Sequence, residues 1–158
     1  MEVSIIIPAF NSANTLSTAL QSVVEQTFQN WEVIIVNDGS TDDTITVAQQ
    51  FIRRDGRIRL INQSNRGACA ARNAGLAAAR YNWLLFLDAD DWLLPPCLEQ
   101  MTKMLAANLE LDAVHVGWNR VAVDGTVLEG ELFYASGDLF HIWAQWPLFP
   151  PHACLVRR

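Results

Sequence analysis

Four short apolar runs, at residues 3–7, 31–36, 58–61 and 83–87, alternate with stretches whose apolar residues recur at helical spacing. That alternation limits the fold more than any other feature of the chain. Val3, Ile5, Ile6 and Ile7 stand just before Pro8, the pattern of a buried strand. Asn14 is placed to cap a helix carrying Leu16, Leu20, Val23 and Val24 on one face. After the second run, Asp38-Gly39-Ser40-Thr41-Asp42-Asp43 supplies a turn, a cap and acidic first-turn residues. The helix that follows turns Ile45, Ala48, Phe51 and Ile52 inward, and an alanine-rich helix fills residues 67–79. Strands and helices in this order predict an α/β domain with a mainly parallel central sheet and helices on both faces.

In such a sheet, ligands bind beyond the carboxyl ends of the strands. Pro8-Ala9-Phe10-Asn11, Asn37-Asp38-Gly39-Ser40 and Asp88-Ala89-Asp90-Asp91 each follow a strand and are expected on one edge. The last segment places three carboxylates at a strand mouth, a costly arrangement unless positive charge sits among them. A divalent cation, Mg²⁺ or Mn²⁺, with oxygen ligands from the aspartates and a substrate phosphate answers that cost.

Beyond Asp91, Pro95-Pro96 opens a helix with Leu98, Met101 and Leu105. A strand is expected over residues 113–118, and Asp124-Gly125 reads as a hairpin turn. Ser136-Gly137-Asp138 opens a short helix, and residues 153–156 form a closing apolar run. The 158 residues, 51% of them hydrophobic, suit a single domain. A net charge of −6 argues against nucleic acid as partner. Of the eleven basic residues, Arg53, Arg54, Arg57 and Arg59 read as a solvated helix end and loop, whereas Arg66 and Arg72 lie in a Gly/Ala-rich stretch suited to ligand contact. Cys69, Cys97 and Cys154 have no metal-like spacing and read as buried, reduced thiols of a cytoplasmic protein. No apolar stretch is long enough to cross a bilayer, which leaves work at the inner face of the membrane open.

Four segments in register carry a resemblance: residues 4–11 (Ser-Ile-Ile-Ile-Pro-Ala-Phe-Asn), 36–42 (Val-Asn-Asp-Gly-Ser-Thr-Asp), 71–75 (Ala-Arg-Asn-Ala-Gly) and 86–91 (Phe-Leu-Asp-Ala-Asp-Asp). The chain resembles the family-2 glycosyltransferases over nearly its whole length. The resemblance implies the GT-A fold, a Rossmann-like nucleotide-binding α/β domain. It also implies transfer of a sugar, hexosyl or N-acetylhexosaminyl, from a nucleotide donor to an acceptor hydroxyl, with inversion at the anomeric carbon. Bacterial polysaccharide or other glycoconjugate synthesis is the family-level setting.

By position in those motifs, Asp90 is expected as the metal ligand of the DXD motif, and Asp88 near the ribose or supporting the metal through water. A cap on the next helix is the plainer role for Asp88. Asp38 matches the aspartate that accepts a hydrogen bond from the donor's base, typically uracil, or it only shapes the Asp-Gly turn. Pro8, Ala9, Phe10, Asn11 and Ala89 line the nucleoside pocket in this reading, with Phe10 equally suited to the core. Arg72 matches a position near base and phosphates, or pairs with a local aspartate such as Asp38 or Asp88. Trp92 either faces the acceptor or packs.

The family's GT-A domain continues past an acidic motif that carries the general base. Residues 151–158 look like the strand that precedes that motif, and no Asp or Glu follows Asp138, so the sequence reads as one glycosyltransferase domain, residues 1–158, lacking its acceptor and catalytic-base portion. Asp112, Asp124, Asp138, Glu129 and Glu131 read as loop residues rather than substitute bases, and His152 as a distant candidate near the metal. Leu139, Phe140, Trp143, Trp146, Leu148 and Phe149 form an apolar tail that favours self-association where exposed. The rival reading is a non-catalytic nucleotide-sugar-binding module. A phosphotransferase built on Asp88 lacks its expected lysine, since the only lysine is Lys103.

Overall fold

The computed structural model describes residues 1–122, 124–131 and 154–158. The predicted short helix and the apolar residues from Leu139 to Phe149, with Asp138 and His152, lie outside them. Among the described residues, eight strands and four helices follow in the order β1 (Val3–Ala9), α1 (Leu16–Val24), β2 (Trp31–Asp38), α2 (Thr44–Ile52), β3 (Ile58–Gln63), α3 (Ala68–Ala78), β4 (Trp83–Phe86), α4 (Cys97–Ala107), β5 (Ala113–His115), β6 (Trp118–Val121), β7 (Val127–Glu131) and β8 (Cys154–Arg157). The main sheet has the order β3-β2-β1-β4-β8-β5. Its first four strands are parallel, and β8 runs antiparallel between β4 and β5.

The alternation of the strands divides the core between the two faces. Ile5, Ile7, Val33, Ile35 and Leu85 pack with α1, α2 and α4 residues such as Leu20, Phe51 and Met101. Ile6, Ile34, Val36 and Leu84 pack on the other face with Ala71 of α3. Gly75 of α3 lies so near β1 that a Cβ there would stand 2.3 Å from Ile6 Cγ2.

Pro8 lies inside β1 rather than ending it. Pairing of β1 with β4 stops at Ile6, whose carbonyl accepts the Leu87 N–H at 3.0 Å. Pro8, two residues on, faces the same side beyond the end of β4, so no strand requires the N–H it lacks. The two strands therefore part at their carboxyl ends. The strand order turns back there, from β3-β2-β1 to β4, which makes it the switch point where open α/β sheets bind ligands.

At the amino end of the sheet, Glu32 is buried. It accepts from Ser4 Oγ at 2.8 Å and the Arg80 N–H at 2.7 Å, and pairs with Arg59 at 3.3 Å. Arg57 chelates Asp55 and lies 3.5 Å over the Trp31 ring. Arg57 and Arg59 are thus built into the sheet margin, unlike the solvated pair expected from the sequence.

Other expectations are corrected. Asn14 does not cap α1; Thr15 holds that position, and the turn is set by the Ser12 carbonyl, which accepts from the Thr15 and Leu16 N–H groups. Asp43 occupies the α2 cap position without a side-chain bond, while Asp42 Oδ1 accepts from the Thr44 N–H at 3.0 Å. The strand expected over 113–118 is broken into β5 and β6, which join different sheets. The hairpin at Asp124-Gly125 forms, with Gly125 at φ 85°. Cys69 is exposed rather than buried, because it opens α3 on the solvent side. Cys97 and Cys154 are half-buried, and burial pushes both thiols up to about 11.

Candidate functional site

The carboxyl edge of β1, β2 and β4 opens into a cleft of about 490 Å³. Pro8, Ala9, Phe10, Asn11, Asp38, Arg72, Asp88, Ala89 and Asp90 all line it. Three strand ends and helix α3, far apart in sequence, thus bring these nine candidates together. Ser12, Thr15, Ala68 and Ala71 complete the wall, and sequence reasoning missed them because nothing in their type marks a ligand contact.

The β1–α1 and β2–α2 loops are laced by their own polar side chains. Asn11 adopts a left-handed φ of 49°, a conformation that asparagine tolerates. Its Oδ1 accepts from the Thr41 N–H at 2.8 Å, and its own N–H donates to Ser40 Oγ at 3.0 Å. Ser12 N–H donates to Thr44 Oγ1 at 2.8 Å and Ala13 N–H to Asp42 Oδ2 at 3.0 Å. The Asn-Asp-Gly-Ser-Thr-Asp run therefore spends most of its hydrogen bonds on shaping the cleft wall. Phe10 is exposed, at 49%, and so belongs to the cleft rim rather than the core.

Asp38 is buried at the end of β2. Register places Gln63 opposite it on β3. Gln63 Nε2 donates to Asp38 Oδ1 at 2.7 Å, the Arg66 N–H to Oδ1 at 2.9 Å and the Gly67 N–H to Oδ2 at 2.8 Å. The Gln63 amide, followed by these two backbone donors, holds the Asp38 carboxyl below the usual range against the opposing effect of burial. Asp38 thus closes the 64–67 loop as well as facing the cleft. Arg66 takes part through its backbone, and its side chain is not among the cleft-lining groups.

Arg72 Nη2 donates to Asp88 Oδ1 at 2.6 Å, a half-exposed ion pair that joins α3 to the end of β4. Asp88 is thereby held by an arginine rather than capping a helix. Asp90 is exposed in the same cleft. Among the described residues, no three His, Cys, Asp or Glu side chains gather to hold a metal by themselves. Asp88 and Asp90 nevertheless fit a cation whose remaining positions are filled by water and substrate phosphate, the way Mg²⁺ is usually held.

Trp92 turns away from this cleft. It lines a second hollow of similar size with Gln21, Glu25, Phe51 and Leu94. Among the described residues, that hollow has no cation in its wall, and it lies off the carboxyl edge of the parallel strands. Among the described residues, no helix is long and apolar enough to cross a membrane.

Residues 4–157 match the model of glycosyl transferase family 2. The chain is 36% identical over 118 residues to the uncharacterised glycosyltransferase YibD of Escherichia coli strain K12, covering 74% of this chain and 34% of that protein. It spans between 13% and 35% of the length of such curated relatives. Among solved structures, S. aureus TarS 1–349 in complex with UDP-GlcNAc superposes with a TM-score of 0.67 at 25% identity, over 73% of this chain and 34% of that one. The mannosyltransferase PcManGT of Pyrobaculum calidifontis, in complex with GDP-Man and Mn²⁺, shares the fold, with a TM-score of 0.73 at 22% identity over 99% of this chain and 44% of that one.

Proposed function

The chain belongs to glycosyl transferase family 2, and on that premise we propose that it binds a UDP-sugar in the β1/β4 cleft for transfer to an acceptor hydroxyl, with inversion. Its fold is that of the GT-A glycosyltransferases it resembles. One observation carries the reading. At the switch point of the sheet, Asp38, Asp88 and Asp90 share a cleft with Arg72 as the one cation among the described lining residues.

A sugar diphosphate brings further negative charge to that wall. Arg72 is half-committed to Asp88, so it cannot balance the diphosphate alone. Asp90 and Asp88 would hold a divalent cation that resolves the conflict, and when bound it would supply Lewis-acid stabilisation of the leaving diphosphate. Arg72 orients Asp88 through a charge-assisted bond. Asp38 offers an acceptor to a ring N–H of the base. Phe10, exposed at the rim, offers an aromatic face to the base or ribose. The bound UDP-GlcNAc of the TarS complex supports a uridine donor here; the acceptor is left unassigned.

Calorimetric titration of UDP, with and without Mn²⁺, into the wild type and Asp90→Ala tests this reading. Binding is expected to require the cation and to weaken about tenfold or more in Asp90→Ala. Equal binding with and without Mn²⁺ removes the metal from the site. No binding by folded protein removes the donor site itself.

A further inference from the structure

The Asp38 carboxylate is nearly used up before any ligand arrives. Each carboxylate oxygen accepts two hydrogen bonds in good geometry. Oδ1 already takes two, from Gln63 Nε2 at 2.7 Å and the Arg66 N–H at 2.9 Å. Among the described residues, Oδ2 takes only one, from the Gly67 N–H at 2.8 Å. Two of these three donors are backbone groups, fixed by the path of the loop. That path depends on Gly67 at φ 86° and on Gly39, where a Cβ would stand 2.8 Å from the Asn65 nitrogen. Gln63 is therefore the one side chain that decides whether Oδ1 is occupied.

We propose that Gln63 sets the nucleobase preference of the cleft, by filling Asp38 Oδ1 so that the carboxylate can accept only a single N–H from the base. This rests on reading the cleft as a nucleotide-sugar site. Uracil presents one ring N–H between two carbonyl oxygens and needs one acceptor. Guanine presents adjacent N1–H and N2–H donors and needs both oxygens of a carboxylate; here it would leave one buried donor unmet. Cytosine turns an unprotonated ring nitrogen towards a charged carboxylate, and is repelled whether or not Gln63 is present. Gln63 is a positioning residue in this scheme, acting through Asp38.

The test is titration of UDP, GDP and CDP, with Mg²⁺ in excess, into the wild type, Gln63→Met and Gln63→Lys. The wild type is expected to prefer UDP over GDP by about tenfold or more, the effect of one unmet buried donor. Gln63→Met removes the donor while keeping the length, and is expected to bring the two affinities within about threefold of each other, chiefly by a gain in GDP binding. Gln63→Lys keeps a donor for Oδ1. Its added charge strengthens both nucleotides alike and leaves the ratio near that of the wild type. CDP is expected to bind weakly throughout. Gln63→Ala, also without a donor, repeats the measurement should Gln63→Met not fold. An unchanged UDP/GDP ratio in the donor-less variant overturns the proposal, even if both affinities fall, because equal loss is what a loosened loop alone produces. A wild type that prefers GDP overturns it too, while leaving the nucleotide site standing. A folded wild type that binds no nucleotide overturns the donor-site reading and this inference with it.

Discussion

Asp38 binds three donors with one carboxylate, and this makes the 64–67 loop sensitive to acid. The Gln63 amide and the Arg66 and Gly67 N–H groups hold its carboxyl below the ordinary value of 3.8. A group with a depressed native pKa adds stability that is fully present above its unfolded value and lost as pH falls through the native one. Asp38→Asn removes that dependence, because an amide takes up no proton in this range. It also turns an NH₂ group towards N–H donors that need an acceptor. The variant is therefore expected to be less stable than the wild type at pH 7, with the gap narrowing once the pH drops below 3.8. Urea midpoints measured from neutral pH down through that value check this. A gap that stays constant would show that the three donors do not depend on the charge of Asp38. Asp38 also illustrates how little a motif says about the work of a residue. The Asp-Gly pattern placed it at the ligand edge, but nothing in the sequence identified Gln63, twenty-five positions away, as its partner. Strand register brings the two together, and register is a property of the sheet.

The contact of α3 with β1 is set by the absence of a side chain. Arg72 and Gly75 lie on one helix, which packs its Ala71 and Gly75 against the sheet. Alanine at position 75 gains up to about 1 kcal/mol in helix propensity over glycine. The same methyl would stand 2.3 Å from the buried Ile6 Cγ2, and overpacking of this kind typically costs about 1–3 kcal/mol. The steric term wins, so Gly75→Ala is expected to lower stability by about 1–2 kcal/mol in urea denaturation. It should also weaken UDP binding, because a displaced α3 carries Arg72 away from Asp88. Unchanged stability would mean that Ile6 has room to turn aside. At this scale much was legible: the four parallel strands and the helices between them follow directly from apolar runs and helical spacing. Their ends were less so. Pro8 sits within β1 because β4 has already ended beside it, and α1 starts at Leu16 because the turn begins at Ser12. Both reasons lie in tertiary neighbours, outside the local window from which propensity is read.

Across the whole molecule, the order β3-β2-β1-β4-β8-β5 joins the two ends of the chain in one sheet. The resemblance marked 151–158 as a strand, but nothing in its residues signals that it inserts antiparallel between β4 and β5. Such an insertion depends on where the intervening chain returns, and a four-residue pattern does not encode that. Leu155 is fully buried at this junction, opposite Leu85 on β4 and Val114 on β5. It packs in the same core as Leu20 of α1 and Ile7 of β1. Its strand therefore supports β4, whose carboxyl end leads straight into Asp88 and Asp90. Leu155→Ala removes buried apolar atoms that the neighbouring strands cannot fully replace, a change that costs about 2–5 kcal/mol at comparable sites. That is a large fraction of the roughly 5–15 kcal/mol by which domains are stable. If the sheet folds as one unit, the loss should appear as a single shifted transition, identical by far-UV circular dichroism and tryptophan fluorescence. Two separated transitions would instead mark the β8–β5 flank as a unit that unfolds on its own. In that case the cleft, anchored on β1, β2 and β4, should still bind UDP in the urea range where the flank has already opened.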